Sequence, residues 1–226
     1  MRHRGTAAFT LVELLVVIAI VGAITAALIA GLRSSKGATL QNAQATLANV
    51  LTSARIKASS TGCRVRVLIN ADVNNPARFR RMLVVQQEDR YKSGEWSIVA
   101  MVVTLPEGVA ILPYKDREPT NFYEASASWK KTYGSDKLHS SALYQPTITC
   151  AVQSATEEIW DSVQFTPGGT MTYGNGDIVI AHAFVRTPGS YEIGEAPLRV
   201  ELPDSVRGVS ISTYGVVAMV NSRSGF

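Results

Sequence analysis

Apolar side chains run almost unbroken from Phe9 to Leu32, thin to one position in every three or four as far as Thr61, and alternate with polar ones in short runs from Cys63 onward. The three patterns predict a helix apolar on all sides, an amphipathic continuation of it, and half-buried strands. The first stretch, FTLVELLVVIAIVGAITAALIAGL, holds 24 residues with Glu13 as its only ionisable side chain. As a helix rising about 1.5 Å per residue it would measure roughly 36 Å, enough for a hydrocarbon layer of about 30 Å. Residues 9–32 are therefore expected to cross a membrane once. Arg2 and Arg4, just before them, favour a cytoplasmic N-terminus, which leaves the chain after Leu32 on the other side.

No proline stands between Arg33 and Thr61, and Leu40, Leu47, Leu51, Ala54 and Ala58 recur at steps of seven, four, three and four. That is one apolar stripe of a helix over 33–61, expected to pack on a globular domain. Gly31 and Gly37 weaken the helix near the membrane surface, and Gly62 is placed to cap its end. CRVRVLIN then alternates Val65, Val67 and Ile69 with Arg64, Arg66 and Leu68, a strand with a basic outer face. FRRMLVVQQE and WSIVAMVVTLP extend it into an antiparallel meander, with GVAILP as a further strand. Residues 114–146 are polar, studded with aromatics and poor in branched aliphatics, and read as an excursion with a short helix over Phe122–Tyr133. In it Tyr123, Trp129, Tyr133 and Tyr144 either pin the excursion to its own domain or meet a partner. Strands resume with TITCAV, DSVQFTPGGTMTY, DIVIAHAFVR, APLRVELP and RGVSISTYGVVAMVN. Asn175-Gly176 signals a hairpin, and so does Tyr214-Gly215.

The chain of 226 residues has room for the anchor and one domain over 62–226, and its formal charge of +4 falls once Arg2 and Arg4 are removed. Charge of that size gives no argument for nucleic-acid binding. Arg64, Arg66, Arg78, Arg80 and Arg81 are expected on a solvated face beside Glu88 and Asp89 rather than as a phosphate patch. Cys63 and Cys150 would face an oxidising space, where a disulfide between them and two ordinary thiols are both open. No metal centre is expected: two isolated cysteines with His3, His139 and His182 show no ligand spacing, and Asn175 and Asp177 offer too few oxygens for Ca²⁺. Nor is an enzyme. Nucleophile-elbow, zinc-helix, phosphate-loop and dinucleotide-glycine patterns do not occur, Glu157, Glu158 and Asp161 read as a solvated turn, and no cofactor is implied.

Glu13 is the exception within the span. A carboxylate at membrane depth costs a few kcal/mol and is usually paired and functional. No cation lies between Phe9 and Leu32, so its partner must come from elsewhere. An ordinary secretory signal fits poorly, because the apolar run is too long and no A-x-A site follows.

AFTLVELLVVIAIVGAI behind a short basic leader closely resembles the signal of type IV pilins and type II secretion pseudopilins. The resemblance implies that a prepilin peptidase removes residues 1–8 between Ala8 and Phe9 and methylates the Phe9 amine. It also implies that Glu13, four positions on, docks against that amine of an adjoining subunit. The family usually has Gly before the cut, where this chain has Ala8. Further on, ATLANVLTSARIKASSTGCRVRVLI, VQFTPGGTMTYGNGDIVI and VSISTYGVVAMV resemble the GspH/FimT minor pseudopilin group, while residues 114–146 have no counterpart there. The implied fold is α+β, a long N-terminal helix on a β-rich head of two antiparallel sheets. The implied function is that of a minor pseudopilin held in a bacterial inner membrane, its head periplasmic. Its partners would be the prepilin peptidase, other pseudopilins or pilins, an assembly platform and secreted clients. The rivals are a minor type IV pilin that captures DNA, for which VNSRSGF offers only Arg223, and a membrane-tethered hydrolase or ligand-binding protein.

Overall fold

The computed structural model describes residues 11–100, 102–114, 138–152, 156–186, 197–202 and 205–226, without the side chains of residue 13 and residues 23–36. Two compact units divide the chain, residues 1–38 and 39–226. Helix α1, Leu11–Thr61, supplies the described part of the first unit and opens the second. Ala8, Phe9 and the leader lie outside the described residues.

From Thr39 the predicted stripe is the buried one. Leu40, Leu47, Leu51, Ala54 and Ala58 are all inside, joined by Ala43, Ala48 and Gln44. The helix stops where Gly62 turns left-handed at φ 66° and gives its N–H to the Ala58 carbonyl at 2.9 Å.

Among the described residues eleven strands come after it: β1 Val65–Asn70, β2 Met82–Glu88, β3 Trp96–Ile98, β4 Val103–Thr104, β5 Val109–Ile111, β6 Ile148–Cys150, β7 Glu158–Phe165, β8 Gly176–Val185, β9 Leu198–Val200, β10 Val206–Ile211 and β11 Val217–Val220. Among the described residues they make two antiparallel sheets. The first runs β3-β2-β1-β7-β6 with β4 also on β2, and the second runs β11-β10-β8-β5 with β9 also on β8. The α1 stripe shares one core with Val65, Val67 and Ile69 of β1, Val163 and Phe165 of β7, Ile178 and Ile180 of β8, and Val209 and Ile211 of β10. This helix on two antiparallel sheets is the expected α+β class.

Two local expectations are corrected. The outer face of β1 is not basic and solvated: Leu68 is sealed in a second apolar cluster with Met82, Val84, Val152 and Trp160, and Arg66 is buried beside it. Short alternating patterns cannot show that a sheet is covered twice. Asn175-Gly176 is not a hairpin, because β7 belongs to the first sheet and β8 to the second. The positive φ falls at Gly174 instead, and Gly176 is needed for close approach, since a Cβ there would lie 2.7 Å from the Ala142 backbone. Of the excursion, the helix over Phe122–Tyr133 and the residues Tyr123, Trp129 and Tyr133 lie outside the described residues. Tyr144 is described, and it is tied to its own domain by a 2.6 Å hydrogen bond to the Tyr173 carbonyl.

Candidate functional site

The N-terminal part of α1 is apolar all the way round. Leu11, Val12, Leu14, Leu15, Val16, Val17, Ile18, Ile20 and Val21 are every one exposed, Leu11 to 81%. A helix apolar on all sides normally sits inside an assembly or a bilayer. Glu13 belongs to this stretch, its side chain outside the described set. Among the described residues no helix is long and apolar enough to cross a membrane. Described side chains here end at Gly22, short of the roughly 20 residues a crossing needs.

The five arginines do not share one solvated face: Arg66 and Arg80 are buried, while Arg64, Arg78 and Arg81 are half-buried. Arg80 and Asp161 make an ion pair whose side chains are 2% and 0% exposed. Arg78 pairs with buried Glu158 at 3.2 Å, while Asn70 and Asn75 donate to the same carboxylate at 3.3 and 3.1 Å. Arg81 donates to the Leu105 carbonyl at 3.0 Å. Arg66 donates to Gln86 Oε1 at 2.9 Å and lies 4.0 Å over the Trp96 ring, and its burial lowers its pKa. Arg64 pairs with Glu88, whose carboxyl is held below the ordinary glutamate value chiefly by that hydrogen bond. The supposed solvated turn at 157–161 is thus corrected as well: Glu158 and Asp161 are the buried acids of these networks.

Cys63, buried, and Cys150, half-buried on β6, are both free thiols, and burial pushes the Cys150 pKa up. His182 is buried with Nδ1 3.2 Å from the Gly108 carbonyl oxygen, and His139 stacks edge-on to Tyr114. No group of His, Cys, Asp and Glu with metal-holding geometry occurs among the described residues. An open concavity of about 470 Å³ on the β10–β11 hairpin is lined by Asn175, Ser210, Ser212, Thr213, Tyr214 and Val216, without a carboxylate or imidazole. A second, of about 180 Å³, is lined by Cys63, Arg64, Glu88, Asp89 and Arg90, with Arg64 and Glu88 paired to each other.

One polar residue passed unnoticed in the sequence. Gln44 lies within the stripe, four after Leu40 and three before Leu47, and is buried. Its Nε2 donates to the carbonyls of Gly208 and Val220, both at 2.8 Å, so the helix clasps β10 and β11 together. A polar side chain in an apolar stripe is itself the signal, because burial obliges it to find partners.

Residues 3–29 match the prokaryotic N-terminal methylation motif. The match covers the residues that carry the resemblance to type IV pilin-like proteins. No curated protein matches the chain. Among solved structures, it is similar to the type IV minor pilin FimU of Pseudomonas aeruginosa, at 13% identity and TM-score 0.42, over 82% of this chain and 90% of that one. It is similar also to the minor pseudopilin EpsH from the type 2 secretion system of Vibrio cholerae, at 13% identity and TM-score 0.39, over 80% and 96%.

Proposed function

We propose that this chain is a minor pseudopilin, a non-catalytic subunit of a type II secretion pseudopilus or a related type IV filament, assembled from the bacterial inner membrane. The reading is supported above all by the N-terminal methylation motif over residues 3–29, which coincides with a helix exposing apolar side chains all round. A prepilin peptidase removes residues 1–8 and methylates the amine of Phe9. Residues 9–32 then wait in the membrane with the head periplasmic. On assembly Glu13 meets the Phe9 amine of a neighbouring subunit, which neutralises a charge that is costly in hydrocarbon. Extraction into the filament exchanges lipid contacts for contacts with other pilin-like helices, and the head supports a shaft or tip that moves secreted clients outward.

The deployment of the arginines speaks against DNA capture, since Arg64, Arg78 and Arg80 are neutralised by Glu88, Glu158 and Asp161. Glu13→Leu separates anchoring from assembly. The variant is expected to insert and to lose residues 1–8 normally, as read by mass spectrometry of the mature chain, yet to be missing from sheared filaments. Incorporation at the wild-type level would remove Glu13 from the mechanism.

A further inference from the structure

Among the described residues, strand β11 closes one side of the second sheet and pairs only with β10. The hairpin joining them fixes which backbone groups it offers. Ser212 donates its N–H to the Val216 carbonyl at 3.0 Å, Gly215 donates to the Ser212 carbonyl at 2.8 Å, and Gly215 is left-handed at φ 74°. This is a turn with a glycine bulge, and it makes Ser212 and Val216 a hydrogen-bonded pair. Pairs alternate along an antiparallel ladder, so with Ser210 opposite Ala218 and Val209 opposite Met219, the N–H and C=O of Val217 and Met219 point to the free side. Folded proteins normally blunt such an edge with proline, lysine or inward charge. Val217–Val220 reads VAMV and has none of these, and Met219 is 53% exposed.

A cation stands at each end of this edge. At the turn, Arg55 of α1 donates from Nε to the Gly169 carbonyl at 3.2 Å, and its Cδ comes within 3.2 Å of where a Cβ on Gly215 would sit. At the far end, Arg207 donates from Nη1 to Asn221 Oδ1 at 3.0 Å and to Gln44 Oε1 at 3.3 Å. These partners are neutral, and the ion pairs among the described residues include neither arginine.

We propose that β11 is a docking edge for an extended segment of another protein, which adds to the second sheet as a further strand and carries acidic side chains at both ends of an apolar centre. Backbone bonds to Val217 and Met219 hold such a segment, and Arg55 and Arg207 select its ends. At about 3.3 Å per residue, the edge from Val216 to Asn221 is matched by a segment of about six residues. A second copy of this chain is the wrong occupant. Pairing two β11 edges, in either direction, brings arginine against arginine. The site lies wholly within residues 39–226 and does not depend on the filament reading.

The test uses the full chain in detergent with two fluorescent, capped peptides, Glu-Val-Thr-Val-Thr-Glu and Lys-Val-Thr-Val-Thr-Lys. The acidic peptide is expected to bind about tenfold tighter, an advantage that shrinks with added salt. It should also slow hydrogen exchange at the Val217 and Met219 amides. Met219→Pro, which removes one free N–H, should abolish binding while circular dichroism stays unchanged. The double variant Arg55→Glu, Arg207→Glu should reverse the preference and decides the matter even if the proline variant misfolds. Failure of both peptides to bind, an unreversed preference in the double variant, or protection of the two amides that rises with protein concentration alone would each overturn the proposal.

Discussion

Arg80 belongs to the most deeply buried ion pair among the described residues. It is buried with Asp161 at a left-handed backbone position, φ 58°, where a side chain normally costs energy. Its backbone also joins the sheets: the Arg80 N–H donates to the Asn70 carbonyl at 2.8 Å, and its carbonyl accepts from Ile111 N–H at 2.9 Å. A buried pair adds little net stability, but removing one member strands the other charge in a poor solvent. Asp161→Asn is therefore expected to destabilise the head by roughly 3–5 kcal/mol in denaturant titration. Arg80→Met with Asp161→Leu should recover most of that loss. If Asp161→Asn proves as stable as the parent, the pair is not an electrostatic keystone.

Among the elements, the second half of α1 and the β10–β11 hairpin behave as their sequences say, each for a local reason. A stripe at steps of three and four has one way to be buried, and Tyr214-Gly215 places a glycine where the turn requires positive φ. Gly208 was not legible in this way. Nothing in RGVSIS announces that a Cβ at this position would fall 2.1 Å from the Ile178 carbonyl oxygen and 2.8 Å from the Phe226 ring. The pairing of Arg78 and Arg80 and the covered outer face of β1 were hidden for the same reason: their partners Glu158, Asp161 and Trp160 arrive from β7, some eighty to ninety residues away. Two substitutions contrast the cases. Leu51→Ala, in the stripe, is expected to lower stability by about 2–5 kcal/mol. Gly208→Ala, which adds one methyl group, should cost at least about 1–3 kcal/mol because backbone has to move. An alanine at 208 without loss of stability would show that the approach of β8 to β10 is slack.

At the scale of the whole chain, the two units have opposite needs. Residues 39–226 hold a buried apolar core, whereas the described side chains from Leu11 to Val21 are exposed. The exposed helix face is what a lipid bilayer or a bundle of similar helices would cover. A charge placed in the span should therefore move the protein without unfolding it. Ile18→Lys is suited to this, since at about 100° per residue it stands well away from Glu13 around the helix and cannot easily neutralise it. A lysine at the centre of a span costs about 2.5–3.5 kcal/mol, against a small gain for isoleucine. Alkaline extraction of membranes should release a large share of Ile18→Lys and little of the control Ile18→Leu, with the circular dichroism of the head the same in both. Equal retention of the two would mean that residues 9–32 are held by something other than hydrocarbon, and the membrane stage of the proposed assembly would have to be abandoned.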